Sequence, residues 1–157
     1  MSDAMKSDHG MEHMLSGELA RILAEAGFHA IARRRLKEAR LIFETLRMFR
    51  PTRDFPIVGL ALTAMESRDY KAATSLLKDG SRLAPDSAAL QGLLALALMF
   101  EGKKIESAQL AQSVIGAGTE SSAVRFAKEL QKELARRTTP TAVQWNTGAV
   151  KPVPKPK

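Results

Sequence analysis

The chain has 157 residues, 45% of them apolar, and no cysteine. That length fits one domain with a buried core, and the lack of cysteine excludes disulfides, thiolate metal sites and a cysteine nucleophile. The formal net charge of +7 permits contact with nucleic acid or an anionic membrane but specifies neither. The longest apolar run, residues 92–100, is far shorter than the about 20 residues that cross a bilayer, and residues 1–14 lack the apolar stretch of a secretory signal. We therefore expect a soluble, cytoplasmic protein, which the absence of cysteine also fits.

The first segment, residues 1–15, is polar and predicts a disordered tail. His9 and His13 lie four positions apart, a spacing that could bind a metal on a helix. No third ligand lies near them in the sequence, so we predict no metal site and no cofactor.

A repeat of 34 residues organises the middle of the chain. Ala39 and Ala73 are 34 positions apart, and so are Pro51 and Pro85. An apolar residue follows each alanine by four positions, and each proline ends the segment. A small residue, a large apolar residue and a terminal proline at this period are typical of the tetratricopeptide (TPR) repeat, in which two helices and a turn form one unit.

The first helices of the three units are predicted to begin near Ala20, Asp54 and Ala88. Close packing between helices is expected at Gly27, Leu60-Ala61 and Leu94-Ala95, and N-caps are expected at Ser16-Gly17 and Asp86-Ser87. The second helix of the third unit departs from the pattern, with Ser107 at the small position and Ala111 at the large one.

A last helix is predicted over about residues 121–137, with apolar positions at helical spacing on one face and charged residues on the other. This pattern is typical of a helix that caps a repeat stack. Residues 138–157 contain four prolines and predict a disordered tail, in which Trp145 is either a docking anchor or folds back onto the domain.

The predicted fold is therefore all-α, an array of about three TPR-like helical hairpins with a C-terminal capping helix over residues 16–137. A generic helical-hairpin array is the alternative, and it has the same architecture.

The first helices of such repeats line a concave groove, so the period also predicts a partner-binding surface. The helix Leu90–Phe100 is apolar almost all round and needs cover on both sides. Gly59 and Gly92 are expected to leave room for a ligand backbone or a large side chain. The alternative is that each of these residues belongs to the hydrophobic core. The predicted partner-binding residues are Phe28, Ile31, Val58, Leu62, Met65, Leu93, Leu96, Met99 and Phe100.

A series of arginines runs from Arg33 to Arg53. We interpret it as a solvated helix face balanced by acids, with an acidic patch on a partner as the alternative. Aromatic residues make up only 5% of the chain, which disfavours nucleic-acid binding by base stacking. The sequence contains neither a Gly-rich phosphate loop nor a nucleophile elbow, and its acids fall on helix surfaces and turns, so we predict no enzymatic activity.

Four segments carry a family resemblance. The segments 41–51, 59–62, 69–73 and 93–97 resemble the small TPR proteins of bacterial type III secretion systems. Two groups look similar: the needle-subunit chaperones, including the related short proteins of plant-pathogen systems, and the class II translocator chaperones. The resemblance covers about residues 18–135.

The resemblance implies a cytosolic chaperone that holds an export substrate in the concave groove and prevents its early assembly. In the needle group the ligand is the apolar C-terminal helix of the substrate, and a second small chaperone completes the complex. In the translocator group an extended segment of the substrate lies in the groove, and the chaperone is often a dimer through its N-terminal helix. We favour the needle group, because Arg50-Pro51 and the apolar third-unit helix suit a buried helical ligand. A general TPR scaffold unrelated to secretion remains the alternative.

Overall fold

The computed structural model describes residues 16–117 and 122–138. Within these ranges the chain forms seven α-helices and no β-strand. None of these helices is both long enough and apolar enough to cross a membrane. The predicted tails fall almost entirely outside the described residues, although the last helix continues through Thr138. The helices are α1 Gly17–Ala32, α2 Leu36–Phe49, α3 Phe55–Glu66, α4 Tyr70–Leu83, α5 Ala88–Phe100, α6 Lys104–Ala117 and α7 Ser122–Thr138.

The helices pack as three successive hairpins followed by α7. Each helix contacts the next one along the chain, and each first helix of a hairpin also contacts the first helix of the following hairpin. The pairs α1–α3, α3–α5 and α5–α7 therefore lie side by side, as the repeat period predicts. The predicted all-α array with a capping helix is confirmed.

Side-chain caps explain where several helices begin. The Ser16 hydroxyl accepts a hydrogen bond from the Leu19 amide at 3.2 Å, and the Ser87 hydroxyl accepts one from the Leu90 amide at 3.4 Å. Asp69 caps α4 in the same way by accepting from the Ala72 amide at 3.0 Å. Such caps satisfy amide groups that have no partner inside the helix. Of the residues predicted as N-caps, Ser16-Gly17 and Asp86-Ser87, the two serines are confirmed.

The small positions of the repeats are completely buried. Ala39, Ala73 and Ser107 follow one another at 34-residue intervals, and each has no exposed surface. The Ser107 hydroxyl donates a hydrogen bond of 2.6 Å to the carbonyl of Ala95 in the paired helix. The third unit thus keeps the close helix crossing, and the buried hydroxyl is satisfied.

The turns inside the three hairpins share one backbone conformation. Arg34, Arg68 and Gly102 all have positive φ, at 57°, 61° and 90°. They too are 34 positions apart, so the period extends to the backbone of the turn. Only the third unit has the residue that adopts this conformation without steric cost.

Gly59 does not open room for a ligand. A Cβ atom there would lie 2.3 Å from the ring of Phe43, and one at Gly27 would lie 2.7 Å from the same ring. Phe43 is fully buried, so the two glycines accommodate this ring between α1 and α3. The expectation for Gly59 is therefore wrong, because a core side chain from α2 fills its space.

Gly92 is also occupied from within the chain. A Cβ atom there would meet the ring of Phe126, on α7, at 3.3 Å. The expectation that Gly92 leaves room for a ligand is therefore wrong as well. The capping helix brings a large side chain to the space that the glycine leaves.

The apolar helix α5 is covered by its neighbours on most of its surface. It contacts α3, α4, α6 and α7, and more than half of its residues are buried. Leu130 and Leu134 of α7 form one core cluster with Met99 of α5. A helix that is apolar all round must be covered on several sides. Neighbouring helices of the same chain provide most of that cover for α5.

Candidate functional site

Six of the predicted partner-binding residues line one recess of about 400 Å³. It is built from the carboxyl-terminal parts of three helices that lie side by side, α1, α3 and α5. We call it the concave recess. Its predicted lining residues are Phe28, Ile31, Leu62, Met65, Leu96 and Phe100.

The repeat period explains why these side chains share one face. Phe28, Leu62 and Leu96 are successive equivalents at 34-residue spacing, and each points from a first helix of a unit into the recess. Leu62 and Leu96 are half-buried, and Phe28 and Phe100 keep 37% and 41% of their surface exposed. These side chains therefore present apolar surface to solvent, which is costly unless a ligand covers it.

Met99 does not reach the recess. It is the third-unit equivalent of Ile31 and Met65, yet it is only 6% exposed. The leucines at 130 and 134 of α7 pack in the same cluster, so the capping helix covers a position that stays accessible in the first two units. The structure places Met99 in the core.

Val58 and Leu93 also lie outside the recess. Both are half-buried and pack against the core cluster that contains Leu77 and Leu90. They lie earlier in their helices than the recess residues, so they are not part of its lining.

The recess includes three residues that the sequence analysis did not name. Ala32 and Glu66 are the equivalents of Phe100 in the first two units, so the period alone could have found them. Tyr70 begins α4, and its ring stacks on Phe100 with centroids 5.2 Å apart and an interplanar angle of 18°. No periodic signal indicates Tyr70, because it belongs to a second helix.

The charge of the recess is low. Glu66 is its one acidic lining residue and accepts a hydrogen bond of 3.2 Å from Arg34, while no Lys or Arg side chain lines it. The concave recess therefore suits an apolar ligand rather than a strongly charged one.

A second recess of about 670 Å³ lies on another face, between α2, α3 and α4. Its floor is apolar, and its rim carries Lys37, Arg40 and Arg47 together with Glu44 and Asp69. Arg40 donates to Glu44 at 2.8 Å, and this hydrogen bond raises the pKa of Arg40. Its mixed charges fit a solvated surface. We call it the α2–α4 recess.

Three arginines of the series, Arg34, Arg35 and Arg40, each pair with an acid. Arg34 pairs with Glu66 at 3.2 Å, and Arg35 pairs with Glu38 at 3.1 Å, both on exposed surface. The pKa of Glu38 is lowered most by a backbone hydrogen bond and next by the hydrogen bond from the Arg35 side chain. No aromatic side chain lines the α2–α4 recess beside these cations, so the geometry offers no base-stacking platform there.

The described part of the chain holds no candidate metal site. No group of three or more His, Asp or Glu side chains within residues 16–117 and 122–138 could hold a metal ion. The carboxylates with shifted pKa values belong to separate ion pairs. Lys103 lowers the pKa of Glu101 by a hydrogen bond, and Lys132 does the same for Glu129. His9, His13 and Trp145 lie outside the described residues.

Comparison with known proteins gives likeness in structure only. No protein-family model matches the sequence, and no curated protein matches it. The structure is similar to the TPR domain of Sgt2 from Aspergillus fumigatus, with a TM-score of 0.66 and 17% identity over 90% of each chain.

Two further TPR structures extend the comparison. The first TPR of Spaghetti (RPAP3), bound to the HSP90 peptide SRMEEVD, has a TM-score of 0.65 and 13% identity, covering 78% of this chain and 95% of that one. A T3SS complex from Aeromonas hydrophila has a TM-score of 0.65 and 15% identity, covering 80% and 86%. At these identities the likeness concerns the fold alone, and the chain has the TPR fold.

Proposed function

We propose that this protein is a chaperone that holds an apolar segment of a type III secretion substrate in the concave recess and prevents its premature assembly. A needle subunit is the favoured substrate, presented as a helix. The observation that carries the proposal is the alignment of Phe28, Leu62 and Leu96 from three successive units around one recess. We propose no enzymatic activity for the protein.

The chemistry of the recess supports an apolar partner. The HSP90 peptide bound by one TPR relative carries two glutamates and an aspartate in its sequence. The concave recess of this chain has no cation among its lining residues to pair with such a peptide. An amphipathic helix that lays its apolar face in a groove is the recognition mode that suits it.

The secretion context rests on two supports. One is the resemblance of residues 18–135 to the small TPR chaperones of these systems, and the other is the structural likeness to a T3SS complex. The needle group further implies a second small helical chaperone as a partner and a cytoplasmic location.

Two alternatives differ in what they predict. A class II translocator chaperone would bind an extended segment and would self-associate through its first helix, where Leu19 and Ile22 are 44% and 50% exposed. A general TPR scaffold would bind neither class of secretion substrate. Co-expression with the needle subunit and with the translocator of the same genome, followed by measurement of mass in solution, distinguishes the three.

The recess is tested by Leu62→Asp and Leu96→Asp, each of which places a charge on its apolar lining. Leu41→Asp is the matched control, because Leu41 is 67% exposed on α2, away from the recess. We expect the two recess variants to lose the co-expressed needle subunit and the control to retain it. Circular dichroism must show that all three remain folded. Full recovery of the subunit by both folded recess variants would refute the proposal.

A further inference from the structure

The last helix ends beside the concave recess. Near the start of α5, Gly92 faces Phe126, which is near the start of α7. Near the end of α5, Met99 packs with Leu134, which is near the end of α7. The two helices therefore run parallel. The carboxyl-terminal end of α7 lies next to the carboxyl-terminal end of α5, where Phe100 lines the recess.

The sequence that follows Thr138 carries a large aromatic residue within reach of the recess. Trp145 is the only tryptophan of the chain. The seven residue steps from Thr138 to Trp145 span up to roughly 23 Å when extended, whereas axes of packed helices are about 8–10 Å apart. The chain length therefore allows the indole to reach the lining residues of the neighbouring α5.

The local sequence suits an extended segment in an apolar recess. Val143 and Trp145 are two positions apart, so in an extended chain both side chains point to the same side. No charged residue occurs between positions 139 and 150. The three lysines of the tail all lie further on, at 151, 155 and 157, so the part nearest the recess carries no charge to desolvate.

The recess offers an aromatic surface to an indole ring. Tyr70 and Phe100 stack at its edge, and Phe28 lies on its opposite helix. Aromatic rings gain from offset or edge-to-face contact beyond the area that they bury. The volume of about 400 Å³ is within the range of pockets that take a small ligand.

We propose that the segment around Trp145 occupies the concave recess of its own chain and is displaced when a partner binds. The inference rests on the apolar recess of the proposed function. It adds that a segment of the same chain competes with the partner for that recess. The segment covers the exposed apolar surface while no partner is bound, so binding of the partner releases Trp145 to water.

The single tryptophan makes the test direct in the full-length protein. With excitation that selects tryptophan over tyrosine, we expect Trp145 emission at shorter wavelength than that of free indole in water, with weak quenching by acrylamide. Leu62→Asp and Leu96→Asp should shift the emission to longer wavelength and restore quenching. Phe100→Ala is a milder second variant at a site already 41% exposed, and it should shift the emission in the same direction.

Two controls locate the indole. Leu41→Asp should leave the emission unchanged, and so should Met48→Asp, which alters the α2–α4 recess. Dilution should also leave it unchanged, because the contact is within one chain. Emission typical of a water-exposed indole in the unaltered protein overturns the inference. So does an emission shift that follows Met48→Asp instead of the concave variants, or one that depends on concentration.

Substrate binding separates the two proposals. If Leu62→Asp abolishes recovery of the needle subunit while Trp145 emission stays that of an exposed indole, the chaperone proposal stands and the tail inference fails. If the concave variants shift the emission but no needle subunit is recovered by any form, the tail inference stands and the needle assignment fails. Where both hold, Trp145→Ala should increase the affinity for the subunit.

Discussion

The rings of Tyr70 and Phe100 stack with their centroids 5.2 Å apart, and this contact joins the start of α4 to the end of α5 at the edge of the concave recess. Tyr70 is half-buried and Phe100 is 41% exposed, so one side of the stack is packed and the other faces solvent. The pair therefore supplies aromatic contact area in a position set by two different units. Rigid aromatic side chains of this kind often contribute most to the affinity of a binding site.

Phe100→Ala is expected to weaken binding of the co-expressed needle subunit. Removal of an aromatic residue that anchors a ligand commonly costs more than about 1 kcal/mol, which corresponds to roughly a fivefold to tenfold loss of affinity. Tyr70→Phe preserves the ring stack and should leave affinity almost unchanged. Titration by calorimetry checks both, and equal affinities for the three proteins would show that the stack does not contact the ligand.

Gly59→Ala is expected to destabilise the fold. The new Cβ atom would lie 2.3 Å from the ring of Phe43, which is fully buried and cannot move into solvent. Overpacking of this kind costs about 1–3 kcal/mol. Chemical denaturation should show this loss, whereas Gly17→Ala, where nothing lies within 4 Å, should not reduce stability. A Gly59→Ala protein as stable as the parent would mean that the Phe43 ring has another place to pack.

Gly102→Ala is expected to lower stability through the backbone. Gly102 has φ of 90°, a conformation that strains a residue with a Cβ atom. The cost is about 1 kcal/mol or more. Arg68→Ala is the matched control, because Arg68 occupies the equivalent turn with φ of 61° and already has a Cβ atom. Thermal unfolding should show a lower melting temperature for Gly102→Ala than for Arg68→Ala. An equal loss of stability in both variants would mean that the glycine is not the cause.

Ser87→Ala is expected to loosen the junction between the second and third units. The Ser87 hydroxyl caps α5 and also donates a hydrogen bond of 2.6 Å to Asp54, which precedes α3. Loss of an N-cap costs about 0.5–2 kcal/mol, and the broken link to Asp54 adds to it. Ser75→Ala, at an exposed position inside α4, should not destabilise the protein in the same denaturation experiment. If both variants unfold at the same denaturant concentration, the Asp54 contact is not stabilising.

The Glu101–Lys103 pair makes a pH-dependent contribution. Lys103 donates to Glu101 at 2.8 Å and lowers the pKa of that carboxyl. Because the folded-state pKa is the lower one, the stabilisation is present above the unfolded pKa of about 4.3 and is lost as the pH falls through the folded value. Lys103→Met should therefore lower the melting temperature near neutral pH and have less effect in acid. Lys71→Met, at an exposed residue, serves as the control, and a Lys103→Met effect that is independent of pH would exclude the pair as its source.

The period of 34 predicted the parts of this fold that repeat. The buried small positions at Ala39, Ala73 and Ser107 follow from it, and so does the shared face of Phe28 and Leu62. These features depend on the spacing of residues along helices of regular pitch, so they can be read from the chain without knowledge of its neighbours. The positive φ of Arg34 and Arg68 could have been inferred in the same way from Gly102.

Features that depend on a side chain from elsewhere could not be predicted. Met99 has the same register as Met65, but it is buried because α7 packs over it. Nothing in the local sequence around Met99 indicates which helix covers it. Tyr70 joins the recess for a related reason, since its contact with Phe100 crosses from one unit to the next.

The sequence by itself thus determined the TPR fold and the register that turns Phe28, Leu62 and Leu96 to one face. Both are consequences of regular helix geometry and a constant repeat length. The tertiary structure alone decided which positions on that face remain accessible. Gly59 and Gly92 show the reason: the space beside a glycine is available to a ligand only if no other side chain fills it, and here Phe43 and Phe126 do. Close packing between distant segments, which the repeat period does not encode, sets the limits of the recess.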